Sequence, residues 1–186
     1  MYVWGRLIST LAKARFQPSI HGVDDMSSIT LRVWPQDLDL NFHVNNGRYL
    51  AFMDIGRMDL LFRTGIGRKM VREKWQPVLT GVNARYRRSL GAFQRFTLET
   101  RLAGWTETSL FMEHKVIALS GPHKGEVAVT ATVRAVMLKD GRKLSSADML
   151  SAFAPLPESP PLPEDYALLM SPEERARAAK QPDPVV

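Results

Sequence analysis

Residues 47–64 constrain this chain more than any other stretch. Tyr49, Phe52, Met53, Gly56 and Leu60 recur at helical spacing, and Leu50, Leu61 and Phe62 spread the apolar surface beyond one stripe. A helix that is apolar around most of its girth has to be wrapped by other structure. Asn45 or Asn46 can cap its start and Gly65 its end. Asp59 and Arg63 form an i, i+4 pair expected on whatever face stays wet.

The wrapping is readable on both sides of that helix. Ile29-Thr30-Leu31-Arg32-Val33-Trp34 alternates as a strand that stops at Pro35. After a basic connection come four strand-like runs, at 77–88, 94–103, 108–118 and 126–138. Gly104-Trp105 and Gly121-Pro122 look like turn chemistry, so an antiparallel meander is expected in place of parallel strands with helical crossovers. One sheet wrapped around one central helix satisfies this order, which makes a single α+β domain.

The domain is expected to run from 29 to 154, ending with a short helix at 145–153. Residues 1–28 read as an amphipathic helix, 2–16, and a linker. Val3, Trp4, Leu7, Ile8 and Leu11 lie on one side of that helix and Arg6, Lys13 and Arg15 elsewhere. Packing on its own domain or on a partner subunit is the expected use, and peripheral contact with a membrane is the other. Residues 155–186 form a tail in which Pro155, Pro157, Pro160, Pro161 and Pro163 enforce an extended path. A surface helix to Lys180 begins at Ser171-Pro172-Glu173-Glu174, and no internal repeat is seen.

Composition narrows the chemistry. A chain of 186 residues, 45% hydrophobic, can bury a core without staples. Having no Cys, it has no cysteine nucleophile, thiolate zinc site or disulfide framework. No apolar stretch reaches the roughly 18 residues that cross a bilayer. Arg6, Lys13 and Arg15 break the pattern of a secretory signal, so a cytoplasmic location is expected. The net charge of +6 is uneven: residues 63–88 carry eight Lys/Arg against Glu73, and 158–186 carry six acidic and three basic groups. A basic stretch of that kind can attract phosphates, an acidic protein, nucleic acid or anionic lipid. No stacking motif or recognition-helix pattern accompanies it, so nucleic acid is not expected.

The densest polar constellation runs from Asp37 to Tyr49. Asp37, Asp39, Asn41 and His43 mimic the early positions of a calcium loop, but Phe42 replaces the turn glycine and Arg48 the bidentate Glu. No metal or other cofactor is expected. Hydrolysis at a helix N-terminus is the other use of such a loop. Unpaired amides there can hold a carbonyl oxygen as it becomes an oxyanion. An upstream carboxylate attacks the carbonyl or draws a proton from water, and Asn41 and His43 orient that water or help to move the proton. Taken singly, each of these residues could equally be capping the helix or bonding the loop. Glu99, Glu113 and His114 are expected to face outward.

The run Asp37-Leu38-Asp39-Leu40-Asn41-Phe42-His43-Val44-Asn45-Asn46-Gly47-Arg48-Tyr49-Leu50 resembles the hot-dog fold thioesterases. It is similar in particular to plant acyl-acyl-carrier-protein thioesterases, and to 4-hydroxybenzoyl-CoA thioesterase-like enzymes at its second acid. The resemblance implies that Asp39 is general base or nucleophile, that Asn41 and His43 act beside it, and that the backbone N–H of Asn46 donates to the oxyanion. It implies a packing aromatic at Tyr49, beside the substrate, and a phosphate contact at Arg88. Arg85 and Arg87 are further candidates for the nucleotide or carrier-protein end of the substrate. Strand alternation would place those two on one face and Arg88 on the other.

The plant enzymes join two hot-dog modules in one chain. This chain has one, which implies a homodimer or dimer of dimers with sites at the subunit interface. A further acid often invoked in the plant enzymes has no clear match. The implied function is hydrolysis of acyl-CoA or an acylated carrier protein in fatty acid metabolism. The alternative is a non-catalytic acyl- or acyl-CoA-binding module.

Overall fold

The computed structural model describes residues 4–22, 25–153, 158–162 and 164–178. Expectations for residues 2, 3, 23, 24, 154–157, 163 and 179–186 lie outside the described residues. The element order is α1 (Trp4–Ala14), β1 (Met26–Arg32), α2 (Asn46–Arg63), α3 (Ile66–Arg72), β2 (Gln76–Tyr86), β3 (Arg95–Trp105), β4 (Leu110–Ala118), β5 (Val127–Lys139), β6 (Arg142–Lys143), α4 (Ser146–Met149) and α5 (Pro172–Ala178).

The sheet is antiparallel in the order β1-β3-β4-β5-β2, with the two-residue β6 beside β5. Its last three long strands are a meander. β2 is not part of it, because the chain leaves β2 on one side of the sheet and resumes as β3 beside β1. Gly104 and Trp105 lie inside β3, past a register shift at Leu102/Gly104, and the turn falls at Thr106–Ser109, closed by the Thr106 amide on Ser109 O at 2.9 Å. Gly121 is a turn glycine with φ +86°.

α2 lies against one face of this sheet. Phe52, Met53 and Ile55 are fully buried among Ile29, Leu31, Leu98, Val116 and Val129. The helix lies close on β3 at Gly56, where a Cβ would overlap Thr100 and Leu98. Asn45 caps it, its side chain accepting from the Gly47 amide at 2.9 Å. Gly65, at φ +82°, ends it and opens α3, a helix where only a basic connection was expected. Asp59 is not on a wet face. It is fully buried, accepting from Ser27 Oγ at 2.6 Å and from Arg63 at 3.3 Å.

The tail runs over the opposite face of the sheet. Tyr166, 1% exposed, stacks on Phe111 with ring centroids 5.6 Å apart and donates its hydroxyl to Glu113. Ser159 Oγ accepts from the Trp105 amide at 2.9 Å, and Glu174 pairs with the buried Arg134.

Candidate active site at the start of the central helix

The polar run folds into a tight loop. Its base is closed by the Asn45 amide on Asp37 O at 2.9 Å and by a Leu38–Val44 bridge, and the Asp39 amide reaches His43 O at 2.8 Å. A second bridge joins His43 to Gly91, holding the loop against the β2–β3 connection.

The two acids of the motif have different surroundings. Asp37 is buried at 1% exposure and pairs with Arg6 of α1 at 2.5 Å and Arg48 of α2 at 3.1 Å. It also accepts from the Trp34 amide at 2.8 Å. Asp37 is thus a structural knot that ties α1, the loop and α2 together. Asp39 is half-buried. Its Oδ1 accepts from the amides of Asn41 at 2.9 Å and His43 at 3.4 Å. Those bonds orient the carboxylate and leave Oδ2 without a hydrogen-bond partner among the described residues.

Asn41 and His43 are exposed, and neither side chain makes a hydrogen bond among the described residues. Leu40 and Phe42 at the loop tip are 98% and 79% exposed, and Phe42 sits at φ +59°, where aromatic residues are rarely held. Asn46 is the first helical residue, and its amide has no acceptor among the described residues. Its carbonyl accepts from Tyr86 at 3.1 Å, so the end of β2 is fastened to the start of α2. Tyr49 is core: at 2% exposure its ring packs on Phe52 and Tyr86, with centroids 6.1 and 5.8 Å away. Burial and then the neighbouring Tyr86 push its phenol well above the ordinary range.

The three arginines fall into two places, not as strand alternation divides them. Arg85 lies on the outer face of the sheet, lining a cavity of about 550 Å³ with Asn83, Glu99, Arg101, Lys115 and Thr130. β2 ends at Tyr86, and the amides of Arg87 and Arg88 both bond Ala128 O, so alternation stops there. Arg87 and Arg88 then line one recess with Glu126 and Val127, and Arg88 pairs with Glu126 at 2.5 Å.

A polar chain runs under the middle of α2. Arg57, 7% exposed, contacts His114 Nε2 at 3.2 Å and Asp54. A guanidinium can only donate, so Nε2 accepts and Nδ1–H donates to Thr100 Oγ1, 3.0 Å away. His114 is therefore neutral and faces inward, not outward. Burial, followed by the charge of Arg57, holds its pKa well below the ordinary value. Alternation held the signal, since Leu110, Met112, Val116 and Ala118 share its face. Asp54 and Arg57 also border an otherwise apolar groove of about 100 Å³ between α2 and β2, walled by Met58, Leu61, Leu79 and Val136.

The model of the thioesterase-like superfamily matches residues 33–168, and the chain belongs to that superfamily. Protein THEM6 of Xenopus laevis is 35% identical over 118 residues, 63% of this chain and 56% of the relative. Protein THEM6 of Drosophila melanogaster is 26% identical over 160 residues, 86% of this chain and 78% of the relative. The chain thus spans little more than half the length of the Xenopus relative. The solved 4-hydroxybenzoyl-CoA thioesterase from Pseudomonas sp. strain CBS-3 is similar in fold. Its TM-score is 0.62 at 18% identity, covering 68% of this chain and 98% of that one. The α+β domain is a hot-dog fold.

Proposed function

We propose that the chain hydrolyses acyl thioesters, of CoA or of an acylated carrier protein, with Asp39 as the acid-base or nucleophilic group. The observation that carries this is the pairing of an oriented carboxylate with an unused amide at the start of one buried helix. In the general-base form, Asp39 takes a proton from water as the water oxygen bonds the thioester carbon. The Asn46 amide holds the resulting oxyanion, and collapse expels the thiolate, which takes up a proton. In the nucleophilic form, Asp39 bonds the carbon first, the C–S bond breaks and the thiolate leaves with a proton, and water then cleaves the mixed anhydride to the acid and free Asp39. Asn41 and His43, exposed beside the carboxylate, steer the water.

The acyl group follows the seam between α2 and β2 toward the groove at Met58 and Leu79. Asp54 is eight residues beyond Asn46, about 12 Å along the helix. The nucleotide or carrier end meets Arg87 and Arg88. A second copy completes the site, covering Leu40 and Phe42, which are too exposed to finish a hydrophobic pocket alone.

The test is release of free thiol from a panel of acyl-CoAs, to which a chain without Cys adds no background. Asp39→Asn lowers turnover at least about a hundredfold with folding nearly unchanged. Full activity in that variant removes Asp39 from the chemistry. Retained acyl-CoA binding with no turnover by the wild type favours an acyl-binding module instead.

A further inference from the structure

Among the described residues, helix α1 is docked through Arg6, Leu7, Thr10 and Ala14. Thr10 and Ala14 are buried, Leu7 packs on the main core, and Arg6 reaches Asp37 and the Arg32 carbonyl. The opposite side carries Trp4 and Ile8, one turn apart and 61% and 65% exposed, with Phe16 just past the helix at 87%. The apolar residues that seemed to form one side of this helix are thus split between core and solvent. Trp34, 43% exposed, lies between the two residues that Arg6 bonds, and Phe93, 55% exposed, meets its ring edge-on at 6.1 Å. Lys13, Arg15 and Arg32 are exposed, and residues 1–16 contain no acid. Asp37, the nearby acid of the loop, is buried between Arg6 and Arg48.

We infer that α1 seats this protein on an anionic lipid surface, inserting Trp4, Ile8 and Phe16 while Lys13 and Arg15 meet the phosphates. An exposed apolar row on a segment whose charged groups are all cations suits the boundary between headgroups and acyl chains, where Trp is favoured. Local charge selects this occupant over the same helix of a second copy, which would bring three more cations and no acid to the contact. Because Arg6 ties α1 to Asp37, two residues before Asp39, docking also holds the candidate loop beside the bilayer. Only that last consequence rests on the hydrolase reading.

The test is flotation of the full chain with phosphatidylcholine vesicles prepared with and without phosphatidylglycerol. Binding is expected to the anionic vesicles, to be at least about tenfold weaker on neutral ones, and to fall as salt rises. Trp4→Ser with Ile8→Ser lowers it by roughly tenfold, the scale of losing two apolar anchors. Lys13→Glu with Arg15→Glu does at least as much, each cation contributing about fivefold near an anionic surface. Melting temperature and thiol release from a soluble short-chain acyl-CoA stay unchanged in both variants, so failure of docking and failure of hydrolysis are read separately. Absence of flotation with anionic vesicles overturns the inference. So does equal binding by the variants, or self-association of the wild type that the Trp4→Ser, Ile8→Ser variant abolishes.

Discussion

His114 sits where an ionisable side chain is most sensitive to its surroundings, 2% exposed and wedged between a guanidinium and a hydroxyl. Above its ordinary value of 6.5 it is neutral in the folded and the unfolded chain alike. Below that, the unfolded chain takes up a proton that the folded chain excludes. Stability then falls with pH at about 1.4 kcal/mol per unit, until the depressed folded value is reached. Denaturant titrations from pH 7 to pH 5 should show this slope in the wild type and lose it in His114→Gln, whose amide oxygen can still accept from Arg57. An unchanged slope in the variant would assign the pH dependence to another group. The position of His114 was legible in the alternation of β4, though its charge type argued for solvent. The division of labour between Asp37 and Asp39 was not legible. It depends on Arg6, thirty-one residues away, reaching the first acid, and no local pattern encodes that.

At the scale of elements, periodicity did most where burial is greatest. α2 lies within one residue of its expected ends because its apolar surface and its caps agree. α3 was missed because seven residues rich in Arg and Lys offer too little periodicity to distinguish helix from loop. The β3 bulge at Leu102/Gly104 was mistaken for a turn for a related reason: glycine marks both. Gly56 shows what tertiary structure adds to propensity. In an exposed helix, Gly→Ala gains about 1 kcal/mol. Here the new methyl overlaps Thr100 and Leu98, and overpacking of that kind costs about 1–3 kcal/mol. Gly56→Ala should therefore destabilise the chain in a urea titration, and it should also disturb the Thr100–His114 contact beneath the helix. A stabilised Gly56→Ala would mean that α2 and β3 can separate more easily than their packing suggests.

For the whole molecule, the distribution of surfaces decides how copies can meet. The basic stretch is not one patch. Arg68, Lys69 and Arg72 lie on α3, while Arg87 and Arg88 follow the other end of β2, an eleven-residue strand roughly 30 Å long. The tail occupies part of the outer face of the sheet through Tyr166 and Glu174, so that face is partly closed to a second sheet. The edge strand β2 is largely open. Among the described residues it pairs only with β5, and it exposes Val78, Leu79 and Tyr86, an edge that a second copy can extend. Val78→Lys places a charge of the kind that keeps native edges apart. If the proposed second copy pairs along this edge, sedimentation at matched concentration should show this variant shifted from dimer toward monomer. If the partner also covers Leu40 and Phe42 and so completes the site, thiol release should fall together with the dimer fraction and recover as protein concentration rises. A monomeric variant with undiminished turnover would place every needed group within one chain. An unaffected dimer would move the seam away from β2.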